Sequence, residues 1–107
     1  MKESEFNALV DELMLALEEA IDESGVDIDY ETSAGVMTLT VEANGSKVII
    51  SRQPALCQVW IAAKSGGYHC DYVDGEWVCG STREILPVLL NRVLAEQLPG
   101  GMEPLVL

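Results

Sequence analysis

The feature that most constrains this chain is a change of period. Up to about Glu23 the apolar residues recur at steps of three and four; from Ile28 they alternate. Phe6, Leu9, Val10, Leu13, Leu17, Ala20 and Ile21 fall on one stripe of a helix from Ser4 to about Glu23, with Asp11, Glu12, Glu18, Glu19, Asp22 and Glu23 opposite. Ser4 is placed to cap this helix, and Ser24–Gly25 to end it. "DIDYE" then sets Asp27, Asp29 and Glu31 against Ile28 and Tyr30, and "VMTLTVE" sets Met37, Leu39 and Val41 against Thr38, Thr40 and Glu42. "SKVIISR", "LCQVWIAAK", "GYHCDYV" and "EWVC" read as four more strands, with turns at "SAG", "ANG", "QPA", "SGG" and "DG". Six short consecutive strands predict an antiparallel meander.

"STREILPVLLNRVLAEQL" predicts a second helix, with Ser81 and Glu84 at capping-box spacing and Pro87 in its first turn. Leu86, Leu89, Leu90, Val93, Leu94 and Leu98 form its apolar face. "PGG" ends it, and the tail "MEPLVL" is expected to pack against the helices. Two amphipathic helices need one apolar surface, and one sheet face supplies it. The expected fold is therefore α+β: a two-layer α/β sandwich, two helices on one face of a six-stranded antiparallel sheet, with the other face in solvent. The 107 residues, 49% of them hydrophobic, suit a single domain spanning 1–107. The absence of a span of roughly 20 apolar residues, or of an apolar leader after "MKESEFNALV", gives a soluble cytoplasmic protein as the expectation.

The net charge is −12, and its distribution is uneven. Residues 1–42 hold twelve acids and one base, Lys2, for −11; residues 43–107 hold six acids and five bases, for −1. Phosphate repels such a chain, so nucleic acid is a poor partner, whereas cations and basic proteins are natural ones. Cys57, Cys70 and Cys79 form no C-x-x-C pair; they read as small buried hydrophobes with free thiols, consistent with a reducing compartment.

Seven carboxylates (Glu18, Glu19, Asp22, Glu23, Asp27, Asp29 and Glu31) fall between Leu17 and Glu31 with no Lys, Arg or His among them. Four lie at a helix C-terminus, where the macrodipole disfavours each by roughly 0.3–1 kcal/mol. Glu18–Asp22 and Glu19–Glu23 are like-charge pairs at four-residue spacing, costing about 0.2–0.5 kcal/mol each. The sum, on the order of 1–3 kcal/mol, is large against the roughly 5–15 kcal/mol that holds a domain together. A solvated surface is the bland account. Two functional ones are an open, weak, multiple cation site built from hard carboxylate oxygens, and a docking ridge for a basic protein. If the strand after the helix lies at a sheet edge, helix and strand make one ridge.

A second signal lies in "SRQPALCQVWIAAKSGGYH". Cys57, Val59, Ile61 and Ala63 share the parity expected of the core. Trp60 then points to solvent beside Gln58, with Ser51, Gln53, His69 and Asp71 on the same outer face, while Trp77 falls inward with Cys79. An exposed Trp among polar residues is a typical interface anchor; an inverted parity would instead bury Trp60. His69, the single histidine, has no nucleophile evidently placed with it and a carboxylate, so it reads as a surface or interface residue.

The acid-rich first helix, the meander, "NGSKVIISRQ", "QVWIAAKSGGYH", "GEWV" and the second helix together resemble the frataxin family in its bacterial form, over essentially the whole chain. The specific part is Asn44–Lys47, Arg52–Gln53, Gln58–Trp60 and the Gly66–Gly67 turn. The resemblance implies a non-enzymatic regulator of iron–sulfur cluster assembly that binds iron (Fe2+ or Fe3+) weakly, other divalent cations being possible. It implies iron sites at Glu18, Glu19, Asp22, Glu23, Asp27, Asp29 and Glu31, a ridge that also meets the cysteine desulfurase. Gln53, Gln58 and Trp60, with His69 beside them, would face the scaffold protein and the desulfurase. Ferroxidase or iron-storage activity, and a metal-independent acidic adaptor, are the rival readings; the chain lacks the Glu-x-x-His pair of di-iron sites. Ser51 stands where the family usually has Asn, and Cys70 and Pro87 lie at or near positions often aromatic in bacterial relatives, which implies a compensated or looser core of modest stability.

Overall fold

A computed structural model describes residues 1–107. Helix α1 spans Glu3–Ser24 and helix α2 Leu86–Gln97, and six strands lie between them. These are β1 (Ile28–Ser33), β2 (Val36–Val41), β3 (Lys47–Gln53), β4 (Gln58–Ala63), β5 (Gly66–Val73) and β6 (Glu76–Cys79). Each strand pairs antiparallel with the next, in the order β1-β2-β3-β4-β5-β6, the expected meander. No helix is long and apolar enough to cross a membrane.

The core lies between the helices and one sheet face. Phe6, Val10, Leu17 and Ile21 of α1 and Leu86, Leu89, Leu90, Val93 and Leu94 of α2 are buried against Met37, Leu39, Val48, Ile50, Val59, Ile61, Cys70, Trp77 and Cys79 of the sheet. Trp77 meets Phe6 and Tyr72 edge-on, at 5.7 and 4.9 Å between ring centroids. The C-terminal tail packs against α2 through Leu105, in keeping with the packing against the helices expected of it. Leu105 is buried, and its backbone is held at both polar atoms by Asn91 of α2, which donates to the Leu105 carbonyl at 3.1 Å and accepts from its N–H at 2.7 Å.

Local expectations fail where turn chemistry differs from simple spacing. Ser4 does not cap α1: the helix begins one residue earlier, with Lys2 at the N-cap and no side-chain bond there. Nor do Ser81 and Glu84 form a capping box, because α2 starts at Leu86 with Ile85 as N-cap. Pro87, in the first turn, cannot continue a helix begun earlier. Glu84 is engaged instead by Arg92, whose guanidinium donates to both its oxygens at 2.8 and 3.0 Å. "QPA" forms a short 3-10 turn over Pro54–Leu56 and Cys57 takes a left-handed backbone (φ 50°), so β4 begins at Gln58 rather than Leu56. Gly66 and Gly67 open β5, and the turn is Lys64–Ser65, between paired Ala63 and Gly66.

Candidate functional site

Two surfaces carry the candidate residues, and the sheet's alternation places both. β1 has a neighbour on one side only, so it is a sheet edge. Within it Ile28, Tyr30 and Thr32 turn toward the helices, and Asp29 and Glu31, opposite Thr40 and Thr38 of β2, turn toward the open face. The last turns of α1 lie along the inner side of this edge. There the Tyr30 hydroxyl donates to Asp22 at 2.8 Å and the Thr32 hydroxyl donates to Glu18 at 3.0 Å. The Tyr30 phenol is held above its ordinary value, chiefly by that bond to Asp22 and secondarily by burial and the nearby carboxylates.

The seven acids therefore wrap around one edge. Glu18 and Asp22 are tied to β1 through hydroxyls, Glu19 and Glu23 are exposed on α1, and Asp29 and Glu31 stand on the opposite sheet face. Glu23 and Asp27 line an open cleft of about 680 Å³ formed with Met102, Pro104 and Val106 of the tail. No base of the protein pairs with any of the seven: the ion pairs are Asp11–Arg52, Glu84–Arg92 and Glu96–Arg92. No three His, Cys, Asp or Glu side chains gather closely enough to hold a metal ion between them. The donor set is one of hard oxygens, some already accepting hydroxyl bonds. Such a set suits shallow coordination completed by water rather than a closed cage.

The second surface is the open face over β3, β4 and β5. Register puts Ser51, Trp60 and His69 in one cross-strand row, and Gln53, Gln58 and Asp71 in the next. The Trp60 and His69 rings stack with centroids 4.1 Å apart and planes 9° from parallel. The indole N–H donates to the Gln58 amide oxygen at 2.8 Å, and the Gln58 amide N–H donates to Asp71 at 3.0 Å. Val59 and Ile61 are buried on the inner face and Trp60 lies outward, the expected parity. Asp71 completes the chain Asp71–Gln58–Trp60. Its place follows from the two-residue turn at Lys64–Ser65, which fixes Trp60 opposite His69 and hence Gln58 opposite Asp71.

Arg52 joins β3 to the first helix. Its guanidinium donates to Asp11 at 2.7 Å and to Asn7 at 3.2 Å, while its Nε is buried without a partner.

A frataxin-like domain model matches residues 1–100. The chain belongs to the frataxin family. The iron-sulfur cluster assembly protein CyaY of Vibrio cholerae serotype O1 strain O395 is 51% identical over 92 residues, covering 86% of this chain and 88% of that one. CyaY of Vibrio cholerae strain M66-2 matches with the same values. Among solved structures, frataxin from Psychromonas ingrahamii superposes with a TM-score of 0.91 at 36% identity, each chain fully covered. Trimeric frataxin from the yeast Saccharomyces cerevisiae, complexed with ferrous iron, superposes at 0.66 with 34% identity, covering 86% of this chain and 81% of that one. The two-layer architecture is thus the family's, and Cys70 is fully buried in this chain.

Proposed function

We propose that this protein is a cytoplasmic, non-enzymatic accessory and regulator of iron–sulfur cluster assembly that binds iron weakly along the β1 edge. The reading rests on one observation: seven carboxylates crowd around a sheet edge and a helix C-terminus without a basic side chain of the protein paired to any of them. Charge held there at a cost to folding is best repaid by a positive partner. Relatives named for cluster assembly, and one solved with ferrous iron, support iron and the assembly machinery as that partner.

Two steps follow. The edge attracts Fe2+ into shallow carboxylate sites, and it steers the protein onto basic residues of the cysteine desulfurase, an interaction that weakens with salt. Trp60, Gln58 and Gln53, with His69 as the stacking support of the indole, then provide a short-range contact to the desulfurase and scaffold protein. That contact depends on shape and desolvation and is therefore less salt-sensitive. Carboxylate oxygens are hard, acceptor-rich ligands, and in an open arrangement they suit binding and release of a cation.

The deciding experiment is a titration of the protein with Fe(II) under anaerobic conditions, followed by NMR line broadening. A variant with Glu18, Glu19 and Glu23 changed to Gln and Asp22 to Asn is run beside it, and both are tested for desulfurase binding. Broadening confined to α1 and β1 and lost in the variant, with weaker desulfurase binding, is expected. Unchanged affinity for both partners removes the edge from the mechanism, and oxygen-dependent Fe(II) turnover abolished by the same changes favours a ferroxidase.

A further inference from the structure

Cys70 of β5 and Cys79 of β6 are directly opposed, free and fully buried. Two backbone bonds define the kind of pair they form. The Gly80 N–H donates across the strands to the His69 carbonyl at 3.1 Å, whereas the Cys79 N–H turns away from β5 and donates to the Glu84 carbonyl at 2.8 Å. Bonds that flank a residue pair without joining it mark a non-hydrogen-bonded site of an antiparallel ladder. Opposed Cα atoms there lie about 4.5 Å apart, with side chains closer than at the alternate sites. A disulfide spans Cα separations of about 4.4–6.8 Å, so the backbone at this pair already falls within range. Both residues are fully buried, and their direct opposition in the ladder puts both side chains on the same inner face of the sheet.

We propose that Cys70 and Cys79 form a latent cross-strand disulfide that closes on exposure to a hydroperoxide and reopens with a thiol reductant. This is independent of the iron-binding reading. The roles of the two sulfurs follow from their surroundings. Burial pushes the Cys79 thiol up, but hydrogen bonds from Ser81 and Thr82 outweigh it and bring it down to about 7; the Ser81 hydroxyl lies 3.4 Å from Sγ. The Cys70 thiol, with burial as the main cause and Cys79 as the next, is pushed up to about 12. Cys79 is thus the nucleophile and Cys70 the resolving thiol.

In the first step the Cys79 thiolate attacks one peroxide oxygen. The O–O bond breaks, hydroxide leaves and takes a proton, and Cys79 becomes a sulfenic acid. In the second, Cys70 gives up its proton and its sulfur attacks Cys79. The S–O bond breaks, and hydroxide with that proton departs as water. Two thiols are oxidised by two electrons in all, and hydrogen peroxide is reduced to two waters. Cys79 ends the four-residue edge strand, next to exposed Gly80 and Ser81, so a water-sized oxidant needs only the opening of that turn. Closure would fasten the last strand to β5 directly behind His69 and Asp71.

The test uses the full chain carrying Cys57→Ser, which removes the third thiol, treated natively with hydrogen peroxide. Expected are an intact mass lower by two hydrogen atoms, a peptide linking positions 70 and 79, a higher thermal midpoint than the untreated protein, and full reversal by a thiol reductant. Adding Cys70→Val or, separately, Cys70→Ala should convert the loss of hydrogens into a gain of oxygen at Cys79 or an intermolecular dimer. A native protein that gains oxygen without losing hydrogens, or that forms the link only after unfolding in denaturant, overturns the proposal. So does a link that leaves the thermal midpoint unchanged or lowered, since a bond that fits the folded geometry must constrain the unfolded chain more than the folded one.

Discussion

Trp60 and His69 face each other across β4 and β5 with their rings stacked at 4.1 Å on the open side of the sheet, whereas Trp77 is buried against Phe6 and Tyr72. The two tryptophans should answer truncation differently. Trp60→Ala forfeits an aromatic stack worth about 0.5–1.5 kcal/mol, and Trp77→Ala empties a core position at a cost of about 3–5 kcal/mol. Denaturant unfolding of the two variants checks this. Similar losses would mean that the open face is structural rather than free for a partner.

Removing charge from the end of α1 should stabilise the fold. Glu19 and Glu23 are exposed, four residues apart, and their helix has no base in its last turn. Glu19→Gln with Glu23→Gln is expected to add about 0.5–1 kcal/mol at low ionic strength, from relief of the pair repulsion and of the dipole. The gain should shrink as salt is added. Urea unfolding at two salt concentrations measures both effects.

Tyr30 should titrate above the ordinary phenol value, because its hydroxyl donates to Asp22 and ionisation would destroy that bond. A folded value raised above the unfolded one gives stability that is complete below about pH 10 and is lost as pH rises through the folded value. Difference absorbance of tyrosinate between the protein and its Tyr30→Phe variant reads the midpoint. Asp22→Asn should move it back toward the ordinary value.

Arg52 binds β3 to α1 through an arm that is 19% exposed, onto an Asp11 that is 70% exposed. The exposed partner limits the ion pair to about 0–1 kcal/mol. The Asn7 bond and the contact of the guanidinium with the Met14 sulfur at 3.6 Å add to it, so Arg52→Ala should cost about 1–3 kcal/mol by thermal or denaturant unfolding. Asp11→Ala should cost less than half as much.

The large-scale pattern was readable because period and turn spacing carry it. Ile28, Met37, Leu39, Val59 and Ile61 all lie inward as alternation requires, and the two-residue turns at Ala34–Gly35 and Asp74–Gly75, with positive φ at both residues, fix the registers on either side. What alternation could not supply was anything set by a partner distant in sequence. The Arg52 contact with Asp11, the capture of Glu84 by Arg92 in place of a cap, and the opposition of Cys70 and Cys79 depend on which residues the finished sheet and helices bring together. The acids were visible as a run. That Glu18 and Asp22 accept hydroxyl bonds while Asp29 and Glu31 stand across the strand from them needed the path of β1.

An open sheet leaves two strands whose outer backbone groups invite a stranger. At β6 the far side is occupied, since the strand is four residues long and Val78 bridges to Ile85. At β1 no such cover exists, and the guard is electrical: a second copy approaching that strand meets the same negative fringe that it carries itself. The protection lasts only while the fringe is bare. Multivalent counter-ions that collect there remove the mutual repulsion as they bind, so the molecule's resistance to stacking into larger assemblies is set by its ionic surroundings as well as by its fold.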